Sequence, residues 1–127
     1  MTLGPHRLLG FAFASADLLM EISPAGDIAV ALGASEALSG SPETALVGRP
    51  WRDFLDPLDR PMAQALLDGL VEGQRGGPVI LRLAKAADGA ERAASLSAFR
   101  LPQNNGAISC TLSRAHPPKG AGKNGLH

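Results

Sequence analysis

Apolar and polar positions alternate in short runs over most of the chain, and a helical spacing is sustained only once. DLLMEIS and IAVAL, from Asp17 onward, are two strand-type runs joined by a Pro24-Ala25-Gly26 turn, the pattern of a β-hairpin. The next stretch, GASEALSGSPETALVG, is thinned by Ala and Gly and predicts helices of one or two turns. Ser35 and Ser41 stand where caps belong, and Pro42 suits a first helical position. The long helical pattern falls within Gly48 to Leu70. Asp56 or Asp59 serves as N-cap, Pro57 or Pro61 sits in the first turn, and Gly73 supplies the stop. Met62, Ala63, Leu66, Leu67 and Leu70 recur at spacings of three and four, which places them on one face to be laid on a sheet.

After a QRGG stretch read as a flexible link, PVILRLAK sets Val79, Leu81 and Leu83 against Ile80, Arg82 and Ala84, a strand with one mainly buried face. Asp88-Gly89 then marks a hairpin turn, ERAASLSAFRLP is a less regular strand ending at Pro102, and Asn105-Gly106 marks another turn. The alternation is cleanest in AISCTLSR, with Ile108, Cys110 and Leu112 on one side and Ser109, Thr111 and Ser113 on the other. Residues 1–16 form an apolar arm centred on Leu8, Leu9, Phe11 and Phe13. Residues 115–127, dominated by Pro, Gly and Lys, have no periodicity and read as a linker or tail. The folded unit expected from these patterns is therefore residues 17–114, of the α+β class.

Composition narrows the function classes. A chain of 127 residues has room for one domain with a core of its own. Twelve basic and twelve acidic side chains cancel, so no overall field draws in nucleic acid or an anionic membrane, and no local basic run replaces it. The single Cys110 cannot form an internal disulfide, the N-terminus lacks the layout of a secretory signal, and no apolar run is long enough to span a bilayer. These features predict a cytoplasmic protein without direct membrane insertion.

The order of strand, strand, short helices, longer helix and three further strands resembles the PAS domain over roughly Asp17 to Arg114. DLLMEISPAGDI is similar to that family's opening strand and Gly turn. ALVGRPWRDFLDPLDRP is similar to its Leu-x-Gly-Arg, apolar pair and Asp-Arg pattern. RLAKAADGAERAASLSAFRLPQNNGAI resembles its two long strands and the turn before the last one. One departure is that Gly33 and Ala34 stand where many members carry an Asn after the second strand. The resemblance implies a five-stranded antiparallel sheet with short helices and one longer helix over one face, a small apolar cavity between the two layers, and a role in sensing or relaying a state.

The cofactors known from that family do not suit these residues. Haem needs an axial ligand such as His, and His6, His116 and His127 all lie outside the expected core. A flavin-reactive Cys belongs at a helix start in an Asn-Cys-Arg context, whereas Cys110 is mid-strand. A thioester-linked chromophore needs a loop Cys and phenolic partners, and the chain has no Tyr. GAGKNG matches a nucleotide-binding glycine pattern by letter at Gly120, Gly122 and Gly125, without the strand and helix that must flank it. No cofactor or metal is expected. Asp53, Asp56 and Asp59 have the residue type for metal or acid-base chemistry, and helix capping and turn formation are their simpler use.

Three functions remain. The first is a non-enzymatic sensory and interaction domain of bacterial-type signalling. It forms a homodimer through Leu8, Leu9, Phe11 and Phe13 and regulates an output domain, in the same chain or in a partner; the resemblance to PAS domains implies outputs such as those of histidine kinases or cyclic-di-GMP enzymes. The second is a sensor of a small apolar ligand held by Leu32, Trp51, Phe54, Met62, Leu66, Leu83, Phe99 and Cys110. The third is a small α+β enzyme, for which Glu21 is the one available carboxylate, and alternation turns it outward.

Overall fold

The computed structural model describes residues 16–102 and 106–116. Five strands, β1 (Leu18–Ile22), β2 (Ile28–Gly33), β3 (Arg75–Arg82), β4 (Ala93–Arg100) and β5 (Ile108–Ala115), form one sheet in the order β2-β1-β5-β4-β3. Every neighbouring pair is antiparallel. An opening hairpin and a closing three-strand meander thus meet where β1 lies against β5. The chain crosses from one sheet edge to the other through the helical middle. That crossover comprises α1 (Ser35–Ser39), α2 (Glu43–Leu46), 3₁₀ turns at Trp51–Phe54 and Pro57–Asp59, and α3 (Arg60–Asp68).

The side of the sheet toward the helices is apolar, as the alternation predicts. Leu18, Met20 and Ile22 of β1, Leu81 of β3, Ala94, Leu96 and Ala98 of β4, and Ile108, Cys110 and Leu112 of β5 are buried there with Trp51, Phe54, Leu55 and Leu83. From α3, Ala63 and Leu67 are buried, while Leu66 and Leu70 pack against the same core. Each fully buried aliphatic side chain contributes about 1.5–3 kcal/mol relative to exposure.

The short helices start differently from expectation. Ser35 is the first residue of α1, and its hydroxyl donates to the Ser41 carbonyl (2.7 Å), while Ser39 donates to the Ser35 carbonyl (2.7 Å). Neither Ser35 nor Ser41 caps a helix; Ala34 and Pro42 occupy the cap positions. The two hydroxyls instead satisfy one another's neighbourhood in a buried turn, where water is excluded.

Strand β3 begins at Arg75, so the QRGG stretch is mostly strand rather than flexible link. The glycines are there because neighbours come close. A Cβ on Gly76 would lie 2.7 Å from Leu70 Cδ2 and 3.1 Å from Leu66 Cδ1. Gly77 has φ +89° at a register irregularity between Gly76 and Val79, and a Cβ there would lie 2.5 Å from the Leu96 carbonyl oxygen. Glycine serves close helix approach and a bulge here.

At the end of each edge strand, one N–H is taken by a carboxylate from the crossover. Glu43 Oε2 accepts the Gly33 N–H at the end of β2 (2.7 Å), and Asp59 Oδ2 accepts the Arg82 N–H at the end of β3 (2.7 Å). The Asp56 N–H donates to the Arg82 carbonyl and the Ala84 N–H to the Phe54 carbonyl, which extends that cover.

Candidate functional site: the two faces of the sheet

The helical side is where an apolar ligand would enter. Of the eight residues expected to line such a cavity, Trp51, Phe54, Leu83 and Cys110 are buried together and Leu66 packs beside them. Three fall elsewhere. Leu32 is 43% exposed on the opposite face of the sheet, because β2 carries an extra residue: Ile22 faces Ile28 while Glu21 faces Val30. Ala29 interrupts the alternation, so Ile28 and Ala31 point inward and Val30 and Leu32 outward. Met62 is 50% exposed, because α3 approaches the sheet over the small, fully buried Ala63 and leaves its preceding neighbour on the flank. Phe99 has the parity opposite to Ala94, Leu96 and Ala98, and faces outward beside Ser109.

The space between the layers is accordingly filled by side chains. Clefts at the rim are open and small. One of about 280 Å³ is bordered by Asp17, Ala34, Ala37, Leu38 and Arg114, one of about 160 Å³ by Ser39, Ser41, Arg49, Asp53, Phe54 and Lys85, and one of about 170 Å³ by Trp51, Gln64, Asp68 and Arg100. The first comes close to the ~300–1,000 Å³ of a typical small-molecule site and the other two fall well below it.

The three aspartates separate by role. Asp56 accepts the Leu58 N–H (2.9 Å) as the cap of the second 3₁₀ turn, as expected. Asp53 lies 3.8 Å from Arg49 on the surface. Asp59, an expected helix cap, makes no cap bond at α3 and reaches across to β3. Among the described residues no three His, Cys, Asp or Glu side chains gather as a metal would require. Asp88, hydrogen-bonded by Arg92 and by the Ala90 N–H, is held well below the usual carboxylate range in the turn between β3 and β4.

Cys110 sits mid-strand on the inner face, and burial pushes its thiol up from 9.0 to about 12. The thiolate is the reactive form, so this rise predicts native-state alkylation at pH 8 slower than for the unfolded chain by on the order of 1,000-fold, before access is counted. Timed labelling with iodoacetamide, with and without denaturant, checks this. Rapid labelling of the native protein would mean that the inner face opens readily.

The outer face has the stronger apolar signal. Pairing aligns Leu32, Leu19, Thr111 and Ser97 in one row, Val30, Glu21, Ser109 and Phe99 in the next, and Ser113, Ser95 and Ile80 in a third. Val30 is 38% and Ile80 49% exposed, Leu19 and Phe99 half-buried. Small Ser and Thr side chains on β4 and β5 form a low lane between these apolar flanks. Glu21 belongs to this face and not to the core, as its alternation predicts, so it gives no buried carboxylate for an enzyme site. The expected dimer contacts Leu8, Leu9, Phe11 and Phe13 lie outside the described residues, as does His6; His116 is exposed. Sequence reasoning missed the face itself, because the bulge in β2 that assembles it has no local signature.

Solved structures share this architecture. The PAS domain of an HTR-like protein from Haloarcula marismortui superposes with a TM-score of 0.68 at 18% identity, covering 87% of this chain and 90% of that one. A PAS domain from Colwellia psychrerythraea gives 0.66 at 16% identity, covering 85% and 97%. The chromophore binding domain of Stigmatella aurantiaca phytochrome P1 gives 0.65 at 22% identity, covering 80% of this chain and 32% of that one. No protein-family model and no curated protein matches the sequence. The chain has the PAS fold, an α+β architecture with the helices on one side of a five-stranded antiparallel sheet. Among the described residues, no helix is long and apolar enough to cross a membrane.

Proposed function

We propose that the chain is a non-enzymatic sensory and protein-interaction domain that acts as a homodimer and regulates an output domain in bacterial-type signal transduction in the cytoplasm. The observation that carries this reading is the contrast between the two faces of the sheet: the inner one is filled, and the outer one presents Val30, Leu32, Ile80 and Phe99. Exposed apolar area of this kind marks contact surfaces. Solved proteins of the same fold include a phytochrome chromophore binding domain and a light-oxygen-voltage domain, which supports a sensory role. Small rim clefts and a filled interior favour a module read through its surface over one built around an apolar ligand.

In this reading Leu8, Leu9, Phe11 and Phe13 contribute to the contact with a second copy. Replacing them singly with Asp is expected to convert dimer to monomer in light scattering while leaving the thermal transition in place. A dimer that survives all four substitutions sinks the arm's part in it.

A further inference from the structure

Three segments meet at the rim cleft of about 160 Å³: the link between α1 and α2, the chain around the first 3₁₀ turn, and the residues just after β3. Close packing fixes its walls. Gly40 lets the link approach the last of these segments so nearly that a Cβ on it would lie 2.7 Å from the Ala86 Cβ, and the Ala84 N–H donates to the Phe54 carbonyl (2.9 Å). The buried serines hold the link itself: the Ser35 hydroxyl donates to the Ser41 carbonyl (2.7 Å), and the Ser41 N–H donates to the Ser39 hydroxyl (3.3 Å). Buried Ile28, Leu46 and Phe54 supply an apolar wall.

The polar side carries excess positive charge and unused donors. The exposed Lys85 ammonium makes no ion pair or hydrogen bond among the described residues, and neither does the Ser41 hydroxyl. Arg49 reaches only Asp53, at 3.8 Å and with 60% of its side chain exposed, a contact too long and too wet to occupy its donors. A cation is repelled from such a mouth, and a neutral apolar molecule leaves its donors unused. At about 30 Å³ per water, the space equals roughly five waters, so it suits a molecule of about that many heavy atoms and excludes a flavin, a haem or a nucleotide.

We propose that this cleft binds a short-chain monocarboxylate of the acetate-to-butyrate class, with its carboxylate among Arg49, Lys85 and the Ser41 hydroxyl and its alkyl chain on Ile28, Leu46 and Phe54. Charge-assisted hydrogen bonds hold the head, and burial of the tail sets the preferred length. A bound carboxylate ties the crossover to the turn between β3 and β4. The inference rests on the sensory reading only for its purpose, that the carboxylate is the molecule sensed; binding stands without it.

Titration of the isotope-labelled full chain with sodium butyrate at constant ionic strength, followed by amide chemical shifts, tests this. Shifts are expected at residues 39–41, 49–54 and 84–86 and not along β1 and β5. Acetate, propionate and butyrate are expected to bind in rising order, by up to about fourfold per methylene, and hexanoate no better than butyrate. Butyramide, of the same shape without the charge, is expected to bind at least ~tenfold more weakly. Lys85→Met and Arg49→Met should each weaken butyrate by about three- to tenfold, and Asp53→Asn, which removes the competitor for Arg49, should strengthen it by about two- to threefold. An unchanged thermal transition in each variant shows that folding is not the cause. No shifts in the cleft at tens of millimolar butyrate, equal binding of butyramide, or unchanged affinity in both Lys85→Met and Arg49→Met overturns the proposal. Affinity independent of tail length overturns the placement of the alkyl chain. A protein that is dimeric by mass and binds no butyrate removes this inference and leaves the interaction-domain reading, whereas a monomer that binds it removes the dimer and leaves this inference standing.

Discussion

Replacing Trp51 with Ala is expected to destabilise the domain by about 3–5 kcal/mol, the range for truncating a buried aromatic side chain. Trp51 is 3% exposed at the start of the first 3₁₀ turn, where its backbone N–H donates to the Gly26 carbonyl (2.8 Å) and so ties the crossover to the opening hairpin. The lost side chain would leave a void at the junction of hairpin, crossover and sheet. A domain of this size typically has only about 5–15 kcal/mol of stability in all, so the variant would lose a substantial share of it. Urea denaturation monitored by circular dichroism measures the effect. Trp51→Phe, which keeps most of the volume, is expected to recover more than half of the loss. A loss below about 1 kcal/mol for Trp51→Ala would show that the interior is looser than the packing implies.

The second large effect is expected at Arg100, at the end of β4. Its guanidinium donates to three carbonyls: Nε to Leu70 (3.0 Å), Nη1 to Gly106 (3.1 Å) and Nη2 to Leu67 (3.0 Å). Two of these belong to the end of α3 and the turn beyond it, where helical carbonyls lack partners and the negative end of the helix dipole favours a cation. The Arg100 carbonyl meanwhile accepts the Gly73 N–H (2.8 Å). Charge-assisted bonds are worth about 1.5–3 kcal/mol each and are not additive within one side chain, so Arg100→Met is expected to cost about 2–4 kcal/mol. Arg100→Lys should recover only part of it, since an ammonium cannot present a planar fork to three acceptors. Hydrogen exchange gives the local readout: amides of α3 should exchange faster in Arg100→Met, while those of β1 and β5 change only with global stability. Equal loss of protection everywhere would mean that Arg100 does not act on the helix end.

Much of the architecture was legible because local patterns and the final packing agree. The inward sets of β1 and β5 follow plain alternation, and the helical spacing of Ala63, Leu66, Leu67 and Leu70 marks the face that packs on the sheet. Resemblance in the order of the elements led to the PAS fold that the superpositions show. What failed depended on partners far away in sequence. Alternation read onward from Ile28 sends Leu32 inward, and only pairing with β1 reveals that Ala29 is extra. Phe99 was expected to line the cavity, whereas parity reserves the inner positions of β4 for Ala94, Leu96 and Ala98. Asp59 looked like a cap because it precedes the helix, yet its acceptor role is played toward a strand 23 residues later. Arg100 gave no sequence signal at all, since its three acceptors are backbone atoms brought to it by the fold.

These corrections move the functional weight from the inner side of the sheet to the outer one. With Leu32 and Phe99 turned outward, the apolar set proposed for a ligand shrinks while the exposed stripe grows. Concentration-dependent sedimentation equilibrium of the unmodified full chain tests the homodimeric interaction domain most directly. The account predicts a reversible approach to twice the chain mass as concentration rises, shifted toward single chains by Ile80→Asp on the outer face. A mass that stays at one chain over the whole accessible range would contradict it.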